Sequence, residues 1–146
     1  MITSPAGADF IRAREQLRLT AYLDTVAEPP IWTIGYGQTG PGIHEGLVWT
    51  AEKADDEFRA GLRAREAALA PLLHCTVSQC QFDALMSLVW NIGLGAFEKS
   101  TLLSKLNTGD VRGAAREFTR WCRTGGKVVD GLLARRTAEL VTFSGL

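Results

Sequence analysis

Apolar positions along this chain keep a helical beat almost everywhere, and break it once, early. Phe10, Ala13 and Leu17 recur at intervals of three and four, which predicts a short amphipathic helix over 8–19, capped by Ser4 or Asp9. The pattern then changes. YLDTV, AEPP and IWTIGYGQTGPG set β-branched and aromatic runs on either side of a Pro-containing turn, so a hairpin is expected within a small β region over about 21–48. The glycines at 35, 37, 40 and 42, with Pro41, mark turns and close backbone approach. From Thr50 the helical beat returns: Thr50 caps a long helix whose first turns hold Glu52, Asp55 and Asp56, where the helix dipole favours acids, and whose apolar face uses Phe58, Leu62, Leu69 and Leu72. Ser78 and Gln81 have capping-box spacing ahead of QFDALMSLVWNIG, which is interrupted at Asn91–Gly95. Ser100–Thr101 opens a helix ending near Asn107–Gly109, Asp110 begins REFTRW, Gly125–Gly126 reads as a loop, and GLLARRTAELVTF closes the chain as a helix. The sum is α+β and mainly helical, with the sheet segregated near the N-terminus.

Composition narrows the class. With 146 residues, 46% hydrophobic and 22% charged, the chain is long enough for one buried core without staples and is not disordered. The formal net charge is zero but unevenly placed: residues 98–146 carry nine Lys or Arg against five Asp or Glu, and the rest seven against eleven. That basic third suits an anionic polymer or, equally, a solvated helical surface; no basic stripe or module points to nucleic acid. Cys75, Cys80 and Cys122 lack CxxC spacing, and His44 and His74 stand at no ligand interval, so no metal and no cofactor are expected; the three cysteines allow one disulfide, with free buried thiols the default. No apolar h-region opens the chain, and no run reaches the roughly 18 apolar residues of a membrane span, so synthesis in the cytoplasm without a signal peptide or stable membrane insertion is expected.

Candidate chemistry concentrates in the stretch that breaks the helical beat. EQLRLTAYLD…IWTIGYGQTG puts the carboxylates of Glu15 and Asp24 nine residues apart and Thr33 at the start of the glycine-rich turn. Two carboxyl groups are what glycoside cleavage needs, one to protonate the leaving oxygen and one to activate water or attack carbon. These residues, with QFDALMSLVWNIGLGAFEKSTLLSKLNTGD and WCRTGGKVVDGLLARRTAEL in the same order, resemble the phage-type lysozymes or endolysins of glycoside hydrolase family 24 over nearly the whole chain.

The resemblance implies a lysozyme-like domain over 1–146, with an N-terminal β-hairpin lobe (about 1–50), a connecting helix (about 50–72) and a helical C-terminal lobe (about 73–146). It further implies an endolysin-type muramidase that hydrolyses the β-1,4 bond between N-acetylmuramic acid and N-acetylglucosamine in bacterial peptidoglycan, for host lysis. Carried over by motif, Glu15 is the general acid, Asp24 the second carboxylate, and Thr33 the hydroxyl that helps hold the attacking water. Glu15 must keep its proton near neutral pH, which requires a dry or acid-rich setting, expected from Leu17, Tyr22 and the facing lobe. Substrate contacts are expected from Gln38, Trp90, Asn91 and Thr101; Trp90 reads equally as core, and Ser100–Thr101 first as a helix cap. Arg135 and Arg136 read equally as a solvated face or as partners of acids across the lobes. The sequence departs from the family pattern in three places: AEPP stretches the interval from Asp24 to Thr33 from six residues to nine, Gln16 follows Glu15 where Gly is common, and Gln38 stands where GHTG has His. A monomer is expected, released to the wall in the periplasm by a holin pore. Two other readings are a non-catalytic peptidoglycan-binding module on the same scaffold and a secreted antibacterial effector muramidase.

Overall fold

The computed structural model describes residues 1–146. Seven helices and two hairpins follow in the order α1 (Pro5–Arg14), β1 (Arg18–Asp24), β2 (Ile31–Gly35), α2 (Ala51–Leu69), α3 (Gln79–Ile92), α4 (Leu94–Glu98), α5 (Thr101–Asn107), α6 (Val111–Glu117), β3 (Arg123–Thr124), β4 (Lys127–Val128) and α7 (Asp130–Phe143), with single 3₁₀ turns after α2 and α6. No helix is long and apolar enough to cross a membrane. The chain divides into two compact units, a continuous one over Ile11–Arg63 and another assembled from Met1–Phe10 and Ala64–Leu146.

In the continuous unit, β1 and β2 pair antiparallel, with Tyr22 opposite Thr33, Leu23 opposite Trp32 and Asp24 opposite Ile31, after a register shift between Arg18 and Tyr22. The other edge of β1 is taken by the segment before α2: Ala21 N–H donates to Leu47 O at 2.9 Å, and Trp49 N–H to Leu19 O at 2.8 Å. The Glu28–Pro29 bond in the AEPP turn is cis. Thr50 caps α2 as expected, its Oγ1 accepting from Lys53 N–H at 3.1 Å. Ile11, Ala21, Ile34, Ala54, Phe58 and Leu62 form this unit's core, with the Tyr36 and Phe58 rings tilted at 5.1 Å.

The other unit is built around α3. Every residue from Phe82 to Trp90 is buried, as a helix apolar nearly all round demands. The Ser78–Gln81 capping box forms in both directions and Gly93, at φ 86°, closes the helix. Ser100 Oγ and Asp110 Oδ1 cap α5 and α6 by accepting from Leu103 N–H at 3.1 Å and Gly113 N–H at 2.8 Å. Phe118 and Phe143 meet at 5.2 Å.

Three features differ from the sequence reading. The first helix covers Pro5–Arg14 rather than 8–19. Its cap is Ser4, whose Oγ accepts from Gly7 N–H at 3.0 Å, and RLTAYLD, rich in β-formers, claims the residues from Arg18 onward for the sheet. Leu17, released from the helix, is exposed, so it supplies no dry wall beside Glu15. The loop expected at Gly125–Gly126 is the turn of the small β3–β4 hairpin, both glycines having positive φ as such a tight turn requires. All three thiols are free, but only Cys122 is buried; Cys75 and Cys80 are half-exposed.

Candidate functional site

The start of β1 and the turn after β2 converge on Glu15. Its N–H closes α1 by donating to Ile11 O at 3.1 Å and Arg12 O at 3.2 Å, so the carboxylate leaves the chain where helix gives way to strand. Gly37, at φ 85°, brings bare backbone against it; a Cβ there would lie 3.3 Å from Glu15 Oε2. Asp24 ends β1 and sets the turn that follows: its Oδ1 accepts from Val26 N–H at 3.0 Å and Ala27 N–H at 3.3 Å, which fixes one carboxylate oxygen and orients the other.

Tyr22 stands two residues before Asp24 on β1. Its phenol is pushed above its ordinary value, first by burial, then by the Asp24 carboxylate; Arg18 opposes the shift and Glu15 adds to it. The Arg18 guanidinium lies over the Tyr22 ring at 4.4 Å, while Arg12 bridges to Asp55 and stacks on Phe58 at 4.4 Å. Thr33, opposite Tyr22 and 3% exposed, donates from Oγ1 to Ile31 O at 3.1 Å. That bond engages the hydroxyl proton and leaves oxygen lone pairs for an acceptor role. Gln38 closes the turn after β2: its Oε1 accepts from Tyr36 N–H at 2.5 Å, and its backbone pairs with Ile34 at 2.9 and 3.0 Å. Gly35 is obligatory beneath it, because a Cβ would fall 2.4 Å from Gln38 Oε1 and 2.8 Å from Trp49.

Glu15, Asp24, Thr33 and Gln38 thus belong to the continuous unit; Trp90, Asn91 and Thr101 belong to the other. Trp90 is 7% exposed and carries the Arg65 guanidinium over its ring at 4.2 Å. Asn91 Oδ1 accepts from Arg136 Nη2. Thr101 is the exposed first residue of α5, and the cap is Ser100. Arg136 and Glu139 are fully buried and 3.0 Å apart, Arg135 Nε lies 3.2 Å from Glu139, and Ser87 Oγ donates to Glu139 Oε1 at 2.7 Å, so this basic stretch of α7 is an internal ionic cluster rather than a solvated face. The position of Arg18 over Tyr22 is signalled in sequence solely by both lying on one short strand.

The family model for phage lysozyme matches residues 12–139, which takes in the acid pair, both hairpins and most of α7. The chain belongs to the phage lysozyme family. It is 42% identical over 143 residues to the endolysin of Bacillus phage B103, covering 98% of this chain but 54% of that one, so it spans about half the length of that relative. It is 40% identical over 147 residues to the endolysin of Acyrthosiphon pisum secondary endosymbiont phage 1, covering 98% of each. Among solved structures, the muramidase domain of SpmX from Asticaccaulis excentricus superposes with a TM-score of 0.85 at 36% identity, covering 97% of this chain and 96% of that one. The fold is lysozyme-like, as the sequence motifs implied.

Proposed function

We propose that this chain is an endolysin-type muramidase, hydrolysing the β-1,4 bond between N-acetylmuramic acid and N-acetylglucosamine of bacterial peptidoglycan to lyse the host cell. The observation that carries this reading is the phage lysozyme match over residues 12–139, within which Glu15 stands against the turn after β2 and Asp24 and Thr33 lie on the paired strands β1 and β2. Glu15 protonates the leaving glycosidic oxygen. Asp24, held through one oxygen by its own turn, keeps the other for the sugar carbon or for water. Thr33 accepts from that water and orients it. Whether the anomeric configuration inverts or is retained follows from the space between the carboxyl groups when sugar is bound. The protein works as a monomer, is made in the cytoplasm and needs a holin pore to reach the wall, so expression alone leaves cells intact and a pore-former added with it lyses them.

The test is product analysis on purified peptidoglycan. Muropeptides with a reducing N-acetylmuramic acid end are expected, and Glu15→Gln is expected to abolish their release while leaving the thermal transition in place. Release by Glu15→Gln at a wild-type rate would overturn the reading.

A further inference from the structure

Four arginines that follow α5 in the chain share one exposed edge. Arg112 and Arg116 stand four residues apart on α6, Arg120 ends the 3₁₀ turn that follows, and Arg123 opens β3. All four are exposed, whereas Gly113, Ala114, Glu117 and Phe118 between them are buried. Residues four apart on a helix are surface neighbours, so like charges at that spacing cost stability. On α2 the opposite is found: Lys53 and Arg59 each face an acid four residues away. No acid stands three or four residues from Arg112 or Arg116. Glu117, beside Arg116 in sequence, is 5% exposed and is held by Lys105 at 2.5 Å, with Arg120 at 3.4 Å. Asp110 is engaged in capping α6. Arg123 donates from Nη1 to Gly126 O at 3.1 Å, which steadies that guanidinium beside the hairpin turn. Because the whole chain has a formal net charge of zero, attraction to a polyanion has to come from a local patch such as this one.

We propose that Arg112, Arg116, Arg120 and Arg123 form a docking edge for the free carboxylates of peptidoglycan stem peptides, contacting the peptides rather than the glycosidic bond. The choice of partner rests on the muramidase reading given above. All four cations are arginine, whose planar fork meets a carboxylate through two parallel hydrogen bonds; a lysine offers only a point charge. A single exposed contact of this kind is weak. Stem peptides repeat along the glycan, however, so several such contacts form at once, and each one raises the effective concentration for the next. The edge thereby keeps the protein on an insoluble polymer between successive cuts.

The experiment is co-sedimentation with insoluble peptidoglycan freed of attached phosphate polymers, using the intact chain with Glu15→Gln so that the wall stays whole. It is compared with the same chain carrying Arg112→Gln, Arg116→Gln and Arg123→Gln; Arg120 is left in place because it touches buried Glu117. The triple variant is expected to bind at least about fivefold more weakly at about 0.1 M ionic strength. At about 1 M, where charges are screened beyond roughly 3 Å, the difference is expected to vanish. Wall whose carboxylates have been converted to amides is expected to bind the unaltered edge no better than ordinary wall binds the triple variant, a readout that depends on no substitution. Equal binding by both chains at low salt, or undiminished binding to amidated wall, overturns the proposal. So does tighter binding of the unaltered edge to vesicles of equal parts phosphatidylcholine and phosphatidylglycerol than to the wall, which would make the partner a membrane. Binding is read without cleavage, so products lacking a reducing N-acetylmuramic acid end overturn the muramidase reading alone.

Discussion

Ser87→Ala removes one oxygen atom from the interior of α3, and its effect is expected to depend on pH. Ser87 and Glu139 are both fully buried, and the 2.7 Å bond from Ser87 Oγ is the shortest approach that Glu139 receives from its partners, against 3.2 Å from Arg135 and 3.0 Å from Arg136. A net hydrogen bond to a charged group is worth about 1.5–3 kcal/mol, and losing the donor leaves the buried carboxylate short of solvation, so about 2 kcal/mol is the expected cost at neutral pH. For a chain of this size that lowers the thermal midpoint by about 6 °C. By contrast, the exposed Lys53–Glu57 pair on α2 contributes no more than about 0.5 kcal/mol. Burial raises the native Glu139 proton affinity, against the pull of Arg136, Ser87 and Arg135. A carboxyl whose native value lies above its unfolded one contributes stability that is complete below the unfolded value, about 4.3, and is lost as the pH rises through the native one. The Ser87 bond favours the ionised form, so its removal raises the native value further and the variant loses most on the alkaline side of that window. Thermal melts at pH 7 and pH 3.5, followed by near-ultraviolet circular dichroism, measure the difference. A drop below about 2 °C at pH 7, or an equal drop at both pH values, would refute the reasoning.

Three further substitutions probe other joints. Gly7→Ala, which helix propensity alone would favour by about 1 kcal/mol, should instead destabilise by about 3 kcal/mol in urea titration, because the new Cβ falls 2.5 Å from Asp83 Cγ. Lys105→Met strands Glu117, which is 5% exposed and keeps only a 3.4 Å contact to the exposed Arg120; a loss of about 2 kcal/mol is expected, less than for a fully buried pair because the lysine is partly solvated. Gly37→Ala strains a residue at φ 85° and presses on Glu15, so peptidoglycan turnover should fall at least about tenfold with little change in substrate affinity.

Features set by neighbours in sequence were legible before the structure. Ser78 with Gln81, Thr50 and Ser100 each announce a helix start through a contact three residues away, and each forms. The hairpin was legible because AEPP separates two β-forming runs. Contacts between distant residues were not. Nothing in α7 marks Arg136 and Glu139 as internal, since periodicity counts charge as outward and cannot see the partner waiting on α3. The end of α1 was misplaced for a related reason: Leu17 continues the apolar interval, but pairing across the sheet outweighs it. Among the candidate residues, Glu15 and Asp24 stood out by motif, whereas the placement of Arg18 over the Tyr22 ring depends on how that side chain folds back.

The anchoring of α1 has a consequence for the order in which the molecule can be completed. Ser4 donates to Asp83 through its backbone at 2.9 Å and its hydroxyl at 2.5 Å, and Thr3 N–H reaches Glu66 at 2.7 Å. Thr3 and Ser4 therefore wait for partners more than sixty positions later in the chain, while Ile11–Arg63 is continuous and meets its own core as soon as it emerges. The hairpin bearing Asp24 and Thr33 can take shape during synthesis, and the start of the helix leading into it finds its seat only after α3 has been made.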